Sequence, residues 1–355
     1  MSVAITTTTT TTTPRQPRRT AFLVGINYIN TQSELNGCYN DVVNVSQYLR
    51  STLGYSSDAI TILTDGNRNS AVGTASALAP TRKNIMDGLT ALVAGMIAGD
   101  EAFFHFSGHG TLVRDTNGDE ATGFDSCLCP VDYAVPASTG GGIITDDEIR
   151  TILINRVPRG AQLYVVLDCC HNGTGCDIRY KYEDFSILRS PPVQGRGPVW
   201  QTRQSAFANP KYTNTAGHVF MLSGCRDEQT SADAYINNSF AGALTHAVFA
   251  ILRANQANLH TYSWSALLRD VRHFMRVNRF SQIPQLMTGQ LITPTMAVFP
   301  RLPATTTGLR GGLITDFVHL GSRSISQNHN TTLFQFTPKS GIHNPQRIIG
   351  LTFIH

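Results

Sequence analysis

No stretch of this 355-residue chain approaches the roughly 20 consecutive apolar residues that a membrane-spanning helix needs, and its N-terminus lacks the apolar core of a secretory signal. A membrane partner is therefore not expected. There is no dense basic stripe either. The 28 Lys and Arg are scattered and the formal net charge is only +4, which disfavours a nucleic-acid partner. A paired cysteine framework is also missing: seven cysteines at irregular spacing argue against a secreted disulfide scaffold and for a reducing, cytoplasmic setting. The Cys127–Cys129 and Cys169–Cys170 pairs have no companion pair at zinc-finger spacing, which disfavours zinc.

What is present is a chain with 41% hydrophobic residues, ample for a large α/β core. Residues 1–19 hold a Thr run from Thr6 to Thr13 followed by Pro and Arg, a composition that buries nothing and reads as a disordered leader. From Thr20 strands and helices alternate. Apolar runs at 20–27, 60–63, 101–107 and 163–168 predict strands, and 40–53, 81–98 and 147–154 predict helices, with Thr81 as an N-cap. Strands apolar on both faces and separated by helices predict a mostly parallel central sheet flanked by helices on both faces. The polar, Pro-containing stretch 178–216 breaks the rhythm and predicts a long linker loop. The run at 218–224 predicts another strand, with helices at 238–254 and 263–278; the latter carries an apolar stripe of Trp264, Leu267, Leu268, Val271 and Phe274 or Met275. The folded region is thus expected over 20–290, split as 20–177, 178–216 and 217–290, while 291–355 shows no recognisable chemistry.

Two strand ends stand out. FFHFSGHG places His109 just past one strand and VVLDCCHNG places Cys169 and Cys170 just past another. In an open parallel sheet, ligands sit beyond the carboxyl ends of the strands, so these motifs are expected to meet at one edge. A thiolate nucleophile needs a base to take its proton and later return it to the leaving amine, and His109 beside Cys170 supplies that pairing. Gly108, Gly110 and Gly173 allow tight turns and close approach of a substrate backbone, with N–H groups near Gly110 and Cys170 as oxyanion donors.

The motifs SGHG at 107–110 and DCCHNG at 168–173 resemble the paired active-site motifs of type I metacaspases. LVGINY at 23–28, LNGCYND at 35–41, CPVDY at 129–133, SGCRDEQTSAD at 223–233, GALT at 242–245 and IPQL at 283–286 support the resemblance in the family's order. It implies a caspase-like fold and a cysteine endopeptidase with Cys170 as nucleophile and His109 as base. The family usually has Ser where this chain has Asn172; Asn still hydrogen-bonds and tolerates turns, so an altered rate is expected.

A basic side chain entering a cleft needs a carboxylate to replace its hydration, and Asp41 and Asp168 stand where such a pocket can form. The resemblance implies cleavage after Arg or Lys, with Cys38 and Ser107 lining that pocket. A second acidic set, Asp125, Asp146, Asp147 and Asp177, is implied by the resemblance to bind calcium, whose hard, oxygen-only coordination suits clustered carboxylates. DTNGDE at 115–120 opens like an EF-hand loop but lacks its twelfth-position glutamate and flanking helices, and reads as a surface turn. The expected partners are protein or peptide substrates with a basic P1 residue, and the enzyme is expected to be a monomer. The six basic residues between Arg179 and Lys211 suggest self-processing, and the family implies roles such as programmed cell death. The competing readings are an inactive homologue acting as a scaffold or regulator, and a different Cys-dependent hydrolase or acyl transferase.

Overall fold

The computed structural model describes residues 15–299 apart from 74–75, 121–122, 170–175, 191–198, 225–232, 237–238 and 294. The chain divides into two compact units, and the second, Thr305–His355, lies outside the described residues, as do the first fourteen residues of the expected leader. In chain order the first unit runs β1 (Arg19–Gly25), α1 (Cys38–Ser51), β2 (Ile60–Thr64), α2 (Arg82–Val93), β3 (Glu101–Ser107), β4 (Gly110–Arg114), β5 (Phe124–Leu128), β6 (Ile144–Thr145) and α3 (Asp146–Ile152). It continues with β7 (Gln162–Asp168), β8 (Tyr180–Ser190), β9 (Val199–Ala208), β10 (His218–Ser223), β11 (Asp233–Ile236), β12 (Ser239–Gly242), α4 (Ala243–Ala254), α5 (Trp264–Val277) and β13 (Gln285–Thr288).

The central sheet has the order β2-β1-β3-β7-β10-β13-β8-β9. From β2 to β10 every pairing is parallel, and β13, β8 and β9 extend the sheet antiparallel. Because side chains alternate along a strand, each central strand feeds two cores. Leu23, Phe103, Val166 and Phe220 pack with α1, α4 and α5, while Phe22, Phe104, Val165 and Met221 pack with α2 and α3. Both faces being covered explains why these strands read as continuous apolar runs. The α5 stripe is core as expected: Trp264, Leu267, Leu268, Val271 and Met275 are buried, with Phe274 only partly so.

Three expectations are corrected. The segment 178–216 is not a plain loop, because β8 and β9 pair with each other over most of their length and β8 pairs with β13. What secures it is tertiary: Tyr182 is buried and its hydroxyl accepts from Ile292 N at 2.8 Å. The second helix stops at Val93, short of residue 98, because Ala94 is extended and Gly95 takes a left-handed φ of 64°. The helix expected from 238 begins at Ala243, since Ser239–Gly242 pair with Asp233–Ile236 as a short hairpin. Beyond residue 290, Ile292, Val298 and Phe299 are buried in the same core as α5.

Candidate active site

The strand register lines up Gly25, Ser107 and Asp168 side by side at the carboxyl edge of β1, β3 and β7. The chain leaves β1 through Asn27, whose Oδ1 accepts from the N–H groups of Cys38 and Tyr39 at 3.0 and 3.4 Å. Since the N-cap position of α1 is Gly37, which offers no side-chain acceptor, Asn27 caps that helix from outside. Cys38 and Asp41 are thereby fixed beside the strand ends.

His109 follows β3 by two residues. Its main-chain N–H donates to the Tyr28 hydroxyl at 2.8 Å, and that hydroxyl in turn donates to the Cys129 carbonyl at 2.6 Å. The Tyr28 and His109 rings pack with centroids 4.6 Å apart, tilted by 37°. Tyr28 sits at a φ of 50°, a left-handed conformation uncommon for a bulky residue, which marks a turn held by its surroundings. The His109 Nε2 lies 2.7 Å from the Ser33 carbonyl. A carbonyl only accepts, so this contact places the proton of a neutral ring on Nε2 and leaves the lone pair on Nδ1. That is the tautomer a general base needs when a backbone carbonyl orients it. Cys169 is fully buried at the end of β7. Cys170 and Asn172 lie outside the described residues.

The aspartate pair is assembled from three distant segments. Asp41 and Asp168 are both buried. Ser107 Oγ donates to Asp41 Oδ2 at 2.6 Å, and Gly242 N donates to the same oxygen at 2.9 Å. Thr245 N donates to Asp168 Oδ2 at 2.7 Å. Both aspartates therefore meet the N-terminal turn of α4, where unsatisfied N–H groups and the helix dipole favour negative charge. Gly242 is required there by space: a Cβ would come within 2.2 Å of Asp168 Oδ2 and 2.8 Å of Asp41 Oδ2.

The second acidic set is brought together as well. Asp146 and Asp147 open α3 behind a Thr145–Glu148 capping box, Asp125 lies on β5, and Asp177 follows β7 at a φ of 51°. Carboxylate oxygens of Asp115, Asp119 and Asp125 lie within 4.8 Å of one another, as do those of Asp119, Asp147 and Asp177 and those of Glu120, Asp146 and Asp177. Burial, followed by the charge of its acidic neighbours, raises the pKa of Asp125, Asp146, Asp147 and Asp177 above the usual carboxylate range. The buried Asp125 Oδ1 has no hydrogen-bond partner among the described residues. Mutually close oxygens, raised pKa values and an orphaned acceptor are the state of a donor set suited to a hard cation.

The sequence reading set one of these groups aside and left others unnoticed. DTNGDE is more than a surface turn, because Asp119 and Glu120 reach the acidic set and Glu120 is buried. The Tyr212 hydroxyl lies 2.9 Å from both Glu120 Oε1 and Asp177 Oδ1, reaching in from the stretch read as a linker. Ser33 contributes only a carbonyl, for which no residue type is a signal. Tyr28 lies within a quoted motif, yet its role depends on where the turn carries it.

A family model described as "Metacaspase, peptidase C14 domain" matches residues 19–179. The chain is 32% identical over 313 residues to Metacaspase-1 of Schizosaccharomyces pombe, covering 80% of this chain and 70% of the relative. It is 35% identical over 305 residues to Metacaspase-1 of Mycosarcoma maydis, covering 78% and 72%. Among solved structures, a Geobacter sulfurreducens protein superposes with a TM-score of 0.50 at 22% identity, over 79% of this chain and 97% of that one. This last likeness speaks to the fold alone.

Proposed function

The chain belongs to the metacaspase family of caspase-like cysteine endopeptidases, and from that premise we propose that it hydrolyses peptide bonds after Arg or Lys in a calcium-dependent manner, with Cys170 as nucleophile and His109 as base. The observation that carries the specificity is the pair of buried aspartates, Asp41 and Asp168, donated to by the first turn of α4 at the same strand edge as His109. A guanidinium or ammonium group entering beside two held carboxylates exchanges its water shell for charge-assisted hydrogen bonds. Tautomer control by Ser33 lets His109 take the Cys170 proton at Nδ1 and return it to the leaving amine.

Asp125, Asp146, Asp147 and Asp177, joined by Asp119 and Glu120, are the residues that would hold calcium. Calcium held there would supply the positive charge that these carboxylates need to ionise together. Asp119 and Glu120 belong to the turn after β4, Asp146 and Asp147 to the start of α3, and Asp177 to the segment after β7, so these are the elements that the site ties to one another. The reading includes a cytoplasmic monomer and self-processing. No helix of the described residues is long and apolar enough to cross a membrane. Strand pairing engages the backbone at Lys181 and Arg203, Arg189 belongs to β8, and hydrogen bonds hold the Arg179 carbonyl and the Lys211 N–H. Of the six basic residues, self-cleavage is therefore expected at Arg196, which falls between β8 and β9 in sequence. Mass spectrometry after incubation with calcium should show the corresponding fragments, absent from a Cys170→Ala control.

The central test is initial rates on fluorogenic peptides ending in Arg, Lys or Asp, with millimolar calcium or with chelator. Cleavage after Arg or Lys alone, only with calcium, and lost in Cys170→Ala supports the whole reading. Folded protein that cleaves none of the peptides would return the scaffold alternative and make Asn172 the first residue to exchange for Ser.

A further inference from the structure

His105 is fully buried in the middle of β3, between Phe104 and Phe106 in sequence and between Leu23 and Val166 across the sheet. Nothing in that apolar setting asks for an imidazole. A phenyl ring such as its sequence neighbours carry would pack there without burying ring nitrogens. Among the described residues the imidazole makes one polar contact: Nε2 lies 3.0 Å from Thr245 Oγ1, with either atom able to donate. Its other nitrogen, Nδ1, has no partner among the described residues, so a buried polar atom is left unsatisfied in exchange for that single bond. Thr245 is also buried, and it is the same residue whose N–H donates to Asp168 Oδ2. The first turn of α4 is thus tied at Gly242 to Asp41, at the Thr245 N–H to Asp168, and at the Thr245 hydroxyl to His105.

We propose that His105, acting through the Thr245 hydroxyl, is a positioning residue that sets the first turn of α4 and with it the orientation of the Asp168 carboxylate toward the basic side chain of the substrate. The inference rests on the reading of Asp41 and Asp168 as a pocket for Arg or Lys. Burial holds the His105 ring neutral, with its pKa pushed down to about 3, so it orients the turn without placing a second cation beneath the pocket. Lys or Arg at this position would supply a hydrogen bond too, but would compete with the substrate for Asp168.

The test is steady-state kinetics of the full chain with calcium on an Arg-ended peptide, for wild type, His105→Phe, His105→Gln, Thr245→Val and Thr245→Ser. Loss of the bond in His105→Phe or Thr245→Val should raise KM about tenfold with kcat within about twofold, and the double variant should be no worse than either single one. The Gln and Ser variants should recover most of the affinity, because each restores a hydrogen-bonding group. Alkylation of Cys170 by iodoacetamide should proceed at the wild-type rate in all of them. Thr245→Val removes the contact from the helix side without disturbing the sheet, which keeps the test readable should His105→Phe fail to fold. An unchanged KM in folded Thr245→Val, or losses that track melting temperature alike in all four variants, would overturn the positioning role while leaving the basic pocket standing. A wild type that does not prefer Arg or Lys over Asp would remove the pocket itself, and this inference with it.

Discussion

Among the buried carboxylates of the described residues, two groups are kept in different ways. Asp41 and Asp168 receive donors from the Ser107 hydroxyl and from the N–H groups of Gly242 and Thr245. Asp125, Asp146 and Asp177 face Asp119, Glu120 and one another. Asp146 accepts the N–H groups of Ser126 and Asp147, and Asp177 accepts the Tyr212 hydroxyl, yet burial and acidic neighbours still raise the pKa values of all three. Asp125 Oδ1 receives nothing from the described residues. Donors at a helix N-terminus favour the ionised form, whereas carboxylates facing carboxylates favour a bound proton or a bound cation. On the proposed reading, the same residue type serves once as a donor-held carboxylate for a charged side chain, and once as a set whose charge a cation would meet. The backbone around the residue makes that difference.

If the division holds, substitutions in the two groups should separate cleanly. Asp168→Asn and Asp41→Asn should lower kcat/KM on Arg-ended peptides by about 100-fold, mainly through KM, since each removes half of a desolvated charge pair. Calcium affinity, measured by titration calorimetry in a Cys170→Ala background, should not change. Asp146→Asn and Asp177→Asn should do the reverse, weakening calcium binding by roughly tenfold or more through the lost ligand charge while leaving KM at saturating calcium within about threefold. Variants of either group that moved both quantities together would collapse the distinction into one continuous acidic site.

A smaller effect sharpens the pocket side. Tyr28→Phe removes the hydroxyl that accepts from His109 N and donates to the Cys129 carbonyl, leaving the tilted ring contact in place. It should reduce kcat by about tenfold with KM unchanged, as expected of a group that holds the base rather than the substrate. A shift in KM instead would place Tyr28 with the pocket.

The smallest effect concerns stability. The buried His105 titrates near 3, against an ordinary value of 6.5. Between those values the unfolded chain carries a proton the folded chain refuses. The contribution is therefore complete above the ordinary value and is lost as pH falls toward the folded one, at about 1.4 kcal/mol per pH unit. Urea unfolding of wild type and His105→Gln at neutral pH and at pH near 5 should show the wild type losing more on acidification. Equal losses would mean that the ring is charged in the fold.

Much of this architecture was legible along the chain because it is written locally. Apolar runs on strands covered from both sides, Thr81 as an N-cap and the α5 stripe all follow from spacing that neighbours in sequence determine. The same holds for the position of His109 within SGHG, where the strand before it and the glycines on either side mark a turn at the sheet edge. The segment at β8 and β9 was not legible, since its polar content hides a pairing that depends on β13 a hundred residues later. Glu120 and Tyr212 escaped for the same reason: each lies in a stretch that reads as a turn or a loop until the fold closes it onto Asp177.

The sequence by itself determined the alternation of strands and helices, the His-before-Cys order and the family, because hydrophobic periodicity and short glycine-flanked motifs are properties of adjacent residues. Only the tertiary structure decided which carboxylates gather N–H and hydroxyl donors from distant segments and which crowd against one another, because that depends on donors such as Gly242 and Thr245, which lie 201 and 77 residues from their acceptors and meet them only when α4 docks on the sheet.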